Sequence, residues 1–388
     1  MYASVHADRS ARVLVSRDHG AAGMDGSDPR GISDAIPLPD GTRLITLDRE
    51  ATAIGRNGRA RPLGRDRLAL GAILPRGHVR LLFPAYVDDG AAAPLDRLPY
   101  AAVAAGQDGE PLVAAAKVGT ATAGPEPRGA DALRTHPSNA LARQLARCAR
   151  DNACVGARAP IGNGELPVPL GAPVAERPRV PVALRSGYEG TPTERPAFQP
   201  SAREIVDVAI THLTAGGGPI AFGRACDGEP LARVRVIRDA AAAIRERVPG
   251  ATVHLETAGT DATALRRAIA SGVNSVTVRL GSAMSATYDR LHGPVSHRWS
   301  DVRACLEAAA ELRVRLTVAL LVLPGLTDRP VETEAIAELL DALPGGALEL
   351  RDLGCDPLRA LAAFPAVPAA GMRTLLGRLA AVEHFRVP

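Results

Sequence analysis

The sequence predicts an α/β protein, a (β/α)6 partial TIM-type barrel over residues 179–388 preceded by a small β-rich domain at 41–120. Three observations predict it. Strand-like and helical stretches alternate without a break after residue 179, several of the helices open on a good cap, and the strands carry apolar residues on one face only.

The strand-like runs are 180–184, 219–223, 251–257, 274–280, 314–323 and 347–352, and helical stretches fall between them at about 201–214, 231–248, 261–271, 300–312 and 331–343. Ser201 followed by Glu204 makes a capping box, and Asp261 and Ser300 stand just before their helices. Strands separated by helices make a parallel sheet with right-handed crossovers, which a barrel-like sheet and an open doubly wound sheet would satisfy equally. Strand parity favours the barrel. Val253 and Leu255 share one face while His254 and Glu256 share the other, and Val276, Val278 and Leu280 oppose Thr277 and Arg279. A parallel strand covered by helices on both faces reads as a continuous apolar run. One apolar and one polar face suit a curved sheet with helices outside and a polar concave side.

Upstream, residues 1–40 are rich in Gly, Asp, Ser and Arg, show no sustained periodicity and are expected to be disordered. Between 41 and 120 short apolar runs alternate with Gly and Pro, and 101–105 and 112–117 flank a turn as a hairpin. Residues 121–178 read as a linker with one helix at about 139–151, capped by Ser138, followed by a proline-rich loop.

Composition narrows the function classes. Aromatics are 3% of the chain, Lys117 is the only lysine, and the net charge of +4 is carried almost wholly by scattered arginines. With no basic cluster interleaved with aromatics, no nucleic-acid partner is expected. The five cysteines, Cys148, Cys154, Cys226, Cys305 and Cys355, are odd in number and scattered, which argues for a reducing compartment. The apolar run at 11–15 is too short for a secretory h-region, and the longest, 318–323, falls far below the ~18 residues of a spanning helix. A cytoplasmic protein with no membrane association is the expectation.

The sharpest local phrase is Phe222-Gly223-Arg224-Ala225-Cys226-Asp227-Gly228-Glu229-Pro230-Leu231, directly after a strand. Ligands in such folds sit at the carboxyl ends of strands, where glycines admit a close approach to the backbone. The string alone is weak, because Asp108-Gly109-Glu110-Pro111-Leu112 repeats it in a hairpin turn. Other strand ends carry Thr257-Ala258-Gly259, Leu280-Gly281-Ser282-Ala283 and Leu323-Pro324-Gly325-Leu326-Thr327-Asp328, each of which is also ordinary β-to-α turn chemistry.

In order and spacing these phrases resemble one branch of the radical SAM superfamily, over roughly residues 139–357. Members bind a 4Fe-4S cluster and S-adenosylmethionine at the mouth of a partial barrel. The resemblance implies cofactor contacts at Gly228, Glu229 and Pro230, which match the family's Gly-Glu-Pro motif, and at Thr257 and Ser282 on later strands. It also exposes a departure. The family's C-x3-C-x2-C loop, whose three thiolates hold the cluster, falls on Ala175, Arg179 and Val182, none of which can ligate iron. Positions that are small or amide-bearing in the family read here as His254, Glu256 and Arg279, and Arg279 is expected to pair with Glu256 as a structural ion pair.

Other chemistries find less support. A Schiff-base barrel needs a lysine, and Lys117 lies outside the barrel. His254 and Glu256 offer two metal ligands where a catalytic zinc takes ~3, the third to come from His292 or His297. Cys148 and Cys154 are a pair where the cluster needs three. The expectation is a pseudoenzyme with no catalytic residue and no metal, a weak residual affinity for S-adenosylmethionine, and a binding or regulatory role toward an unspecified small molecule or protein. The alternatives are an active radical SAM enzyme with unrecognised cluster ligands and a metal-dependent enzyme using His254 and Glu256.

Overall fold

The computed structural model describes residues 2–26, 28–88, 90, 92–119, 136–150, 164–184, 196–224 and 228–386. Its second part is a parallel seven-stranded sheet whose strands lie side by side in chain order: Leu166–Val168, Ile220–Phe222, Val253–Thr257, Ser275–Leu280, Arg315–Val322, Gly346–Asp352 and Phe385–Arg386. A doubly wound sheet reverses its strand order at a switch point. This sheet does not, so the α/β unit is a partial barrel, with one strand more than expected.

The first barrel strand is not the expected 180–184 but Leu166–Val168, which pairs in parallel with Ile220–Phe222. Its central Pro167 reads as a breaker. Proline is tolerated there because the strand lies at the sheet edge, where its missing N–H leaves no ladder partner unpaired. Residues 180–184 contribute instead a two-residue strand, Val182–Ala183, antiparallel to Gly354–Cys355.

The helices Ala202–Thr214, Val234–Arg247, Ala262–Ala270, Trp299–Glu311 and Pro330–Asp341 lie within three residues of expectation. Ser201 and Glu204 form the capping box, and Asp261 accepts the Ala264 N–H at 2.9 Å. Two caps shift by a residue or two. Asn139, not Ser138, accepts the Ala142 N–H of the helix Ala140–Arg150, and Asp301 reaches back to the Arg298 N–H so that Ser300 lies inside its helix. Val253, Leu255, Val276, Val278, Leu280, Val318 and Leu320 pack outward against Ile237, Ile244, Leu306 and Ile336 of the covering helices. The opposite parity is left to line the lumen.

Residues 3–37, expected to be disordered, carry five strands. Ala3–Ala7 pairs antiparallel with Val13–Gly20 and also meets Ala105 and Leu68. Strands of two to eight residues, most of which also pair with a strand far along the chain, leave little local periodicity to read. Ala3–Ala7, Val13–Gly20 and Ile36–Pro37 join a nine-stranded antiparallel sheet with the residues beyond 41, Ala22–Met24 and Arg30–Gly31 form a separate three-stranded sheet with Phe83–Pro84, and the hairpin of Tyr100–Ala105 on Pro111–Val113 forms as expected. Of the expected linker and helix at 121–178, residues 121–135 and 151–163 lie outside the described residues.

The two parts share a core. Met24, Leu47, Phe83 and Tyr86 of the β-rich part pack with Val180, Val182, Leu321, Leu323, Leu353 and Phe364. Buried Arg80 crosses this seam: its N–H donates to Asp352 Oδ2 at 3.1 Å, its guanidinium donates to the Leu353 carbonyl, and Phe83 lies 4.7 Å beneath it. Gly325 closes the seam from the barrel side. It adopts φ 82, and a Cβ there would collide with the Asp25 carbonyl oxygen. Gly325→Ala is therefore expected to cost about 2 kcal/mol or more from the left-handed backbone and the collision together, measured as a lowered midpoint in chemical denaturation.

Candidate functional site

The polar strand faces converge at the barrel mouth on Glu256. Its Oε2 accepts from Arg224 Nη1 at 2.7 Å, and its Oε1 accepts from Arg351 Nη1 at 3.1 Å and Arg279 Nη1 at 3.3 Å. Each arginine bridges to a second carboxylate: Arg224 to Glu165 at 3.1 Å, Arg351 to Glu349 at 2.7 Å and Arg279 to Glu176 at 3.1 Å. The register explains how so much charge fits. Ala319 stands between Arg279 and Glu349 on adjoining strands, and its methyl leaves room for the long side chains on either side.

These charges survive burial because they compensate one another. Burial opposes ionisation of Glu256, but the guanidiniums of Arg351, Arg224 and Arg279 overcome it and hold the carboxyl well below its usual range. Burial likewise opposes Glu176, yet Arg279 and His292 bring it down to about 2. Arg279 and Arg351 are held protonated against burial by their carboxylates. Glu176 thus contributes stability that is complete above its unfolded value near 4.5 and is lost as pH falls toward about 2. Glu176→Gln is expected to flatten the loss of unfolding free energy between about pH 5 and pH 3 relative to wild type, read by urea titration at each pH.

The histidines are engaged as well. His254 Nε2 faces Arg224 Nη2 at 3.4 Å and so must accept, which leaves Nδ1 to donate to Ser275 Oγ at 3.0 Å. Burial, with Arg224 beside it, pushes His254 down to about 3. His292 Nε2 accepts the Gly281 N–H at 3.0 Å, so its proton sits on Nδ1, 2.6 Å from Glu176. His297 contacts the Tyr288 hydroxyl at 2.8 Å. The donor set His254 and Glu256 does not fit a metal: both ring nitrogens are taken, and both carboxylate oxygens face guanidiniums. Among the described residues no group of three or more His, Cys, Asp or Glu could hold a metal ion.

The positions expected to touch cofactor are part of the fold's own wiring. Glu229 caps the short 3-10 helix Pro230–Arg233; its Oε1 accepts from Thr257 Oγ1 at 2.5 Å and the Leu231 N–H at 3.2 Å, and its Oε2 accepts the Ala258 N–H at 2.9 Å. Burial pushes this carboxyl up. Thr257 has the parity of Val253 and Leu255, on the helix side of the sheet. Gly228 packs so closely on the carbonyls of Ala172 and Pro173 that no side chain fits. Ser282 lies apart from these and donates to Glu332 at 2.6 Å. The structure thus brings Glu229 and Thr257 together but not Ser282, and their polar atoms are already partnered.

A 4Fe-4S cluster does not fit the residues after the first strand. Ala175 is buried, Arg179 is exposed, and Val182 lies in the apolar seam beside Leu321 and Cys355. Cys305 and Cys355 are buried, their thiols pushed up to about 12 and about 11 by burial, and Cys148 sits on a separate helix; Cys154 and Cys226 lie outside the described residues.

The expected Arg279–Glu256 pair is present. Sequence reasoning missed Glu165, Glu176, Arg224, Glu349 and Arg351. The alternation Glu349-Leu350-Arg351, two charges of one parity on a barrel strand, was a readable signal; the Glu176 contact, across a long loop, was not.

No protein-family model and no curated protein matches the chain. Solved structures similar to it include HydG, a maturase of the FeFe-hydrogenase (14% identity, TM-score 0.37, covering 65% of this chain and 62% of that one). They also include methylornithine synthase, PylB (12% identity, TM-score 0.36, covering 67% and 74%), and Streptococcus suis SuiB bound to S-adenosylmethionine (11% identity, TM-score 0.37, covering 62% and 51%). The chain spans less than two thirds of the length of HydG and of SuiB. At these scores the barrel rests on this chain's own strand order and registers. No helix among the described residues is long and apolar enough to cross a membrane.

Proposed function

We propose that this is a radical-SAM-like pseudoenzyme: a barrel that has lost its iron–sulfur cluster and the radical chemistry that depends on it, and that serves as a binding or regulatory protein. The observation that carries the reading is the engagement of Glu256 by three arginines at the barrel mouth. A lumen filled by the protein's own ion pairs offers, among the described residues, no free base, nucleophile or open ligand position. The absence of cysteine at Ala175, Arg179 and Val182 supports the same reading from the sequence side. Scattered free thiols suit a reducing compartment, and cytoplasmic residence belongs to the proposal.

Any affinity for S-adenosylmethionine is weak on this reading, because iron would supply the bonds to its amine and carboxylate, and because Glu229 already accepts three hydrogen bonds. Titration calorimetry of S-adenosylmethionine into wild type and Glu229→Gln tests this. The expected result is a Kd no tighter than about millimolar in both; micromolar binding that Glu229→Gln abolishes would establish a working cofactor site.

A further inference from the structure

A second site lies outside the lumen. The β-rich part, the loop after the fifth barrel strand and the segment that follows the sixth enclose a cleft of about 740 Å³, lined by none of the lumen arginines or carboxylates. That volume is in the range of small-molecule sites, ~300–1,000 Å³. Its walls are unequal. One side is apolar, formed by Leu358, Leu361, Phe364 and Val367, the last 44% exposed. The other carries Arg30 and Arg329.

The two arginines are not equivalent. Arg30 is committed to Asp25, 2.5 Å away. Arg329 is 7% exposed, and its Nε donates to the Gly325 carbonyl at 2.7 Å. Its terminal nitrogens donate no hydrogen bond to a described residue, and it enters no ion pair among them. A guanidinium oriented at Nε with its terminal donors unspent is a ready-made fork for a carboxylate. The same loop holds the buried Asp328, whose Oδ1 accepts the Gly325 N–H at 2.7 Å and fixes the turn from which Arg329 projects.

We infer that this cleft binds a small amphipathic monocarboxylate, its acid group on Arg329 and its apolar body against Leu361, Phe364 and Val367. The inference does not rest on the pseudoenzyme reading, since the cleft and the lumen share no charged group.

The probes are octanoate and octan-1-ol, titrated into the full chain and followed by ligand-observed saturation-transfer NMR. Octanoate should bind at least about tenfold more tightly than the alcohol, the worth of a charge-assisted hydrogen bond. Arg329→Gln should remove that preference while leaving octanol binding unchanged, and Arg329→Lys should restore part of it. Ala366→Trp, which fills the cleft from its apolar wall, should abolish binding of both and guards against an Arg329 variant that fails to fold. Equal affinities for acid and alcohol, an octanoate preference that persists in Arg329→Gln, or binding that survives Ala366→Trp would each overturn the inference.

Discussion

Glu256→Gln is expected to destabilise the protein by about 3–5 kcal/mol, the cost of breaking a buried ion pair from one side. The glutamine keeps the shape and removes the charge, so Arg224, Arg279 and Arg351 lose the carboxylate that all three share. Arg224, Arg351 and Arg279 retain Glu165, Glu349 and Glu176, and these remaining pairs set the upper bound on the loss. A compensating variant separates charge imbalance from packing. Glu256→Leu with Arg224→Met removes one carboxylate and one guanidinium together, keeps the Arg279–Glu176 and Arg351–Glu349 pairs, and frees only the partly exposed Glu165; exchange of a buried ion pair for apolar side chains is often neutral or favourable. The double variant should therefore regain part of the stability that Glu256→Gln loses, as read by urea denaturation. A neutral Glu256→Gln would mean that the mouth is more solvated than its burial indicates.

Arg80→Met should rank beside it, at about 3–5 kcal/mol near neutral pH. Arg80 has no exposed surface, and its loss strips Asp352 of a nearby cation and leaves the Leu353 carbonyl short of a donor. Asp352 supplies a pH signature. Burial pushes its carboxyl up to about 6 despite Arg80, whose Nε is 3.8 Å away. With the folded value above the unfolded one, the folded state holds the proton more tightly, and stability falls as pH rises from the unfolded value to about 6. Without Arg80 the ionised form is worse off still. The cost of Arg80→Met should thus be larger at about pH 8 than at about pH 5, where Asp352 is protonated in either protein.

The barrel was legible because its signals are long and local. Strands of five to eight residues such as Val253–Thr257 and Arg315–Val322, spaced by capped helices, show both their length and their two faces. The first strand was missed because Leu166–Val168 is three residues long with proline at its centre, while the more strand-like 180–184 serves the seam instead. The strands before residue 41 escaped for a different reason: they are short, several of their partners, such as Ala105 and Leu68, are distant in sequence, and composition alone reads as disorder. At the site, parity exposed His254, Glu256 and Arg279 as inward residues and suggested the Arg279–Glu256 pair. It could not supply Glu176, whose approach to Arg279 and His292 depends on the course of the long loop after the first strand.

The most direct measurement is iron content after anaerobic reconstitution with iron and sulfide. The account predicts a colourless chain with no absorbance band near about 400 nm and well under one iron per chain, because apolar and arginine side chains stand where thiolates would be needed. About four irons per chain, with 5′-deoxyadenosine formed from S-adenosylmethionine on reduction, would contradict it.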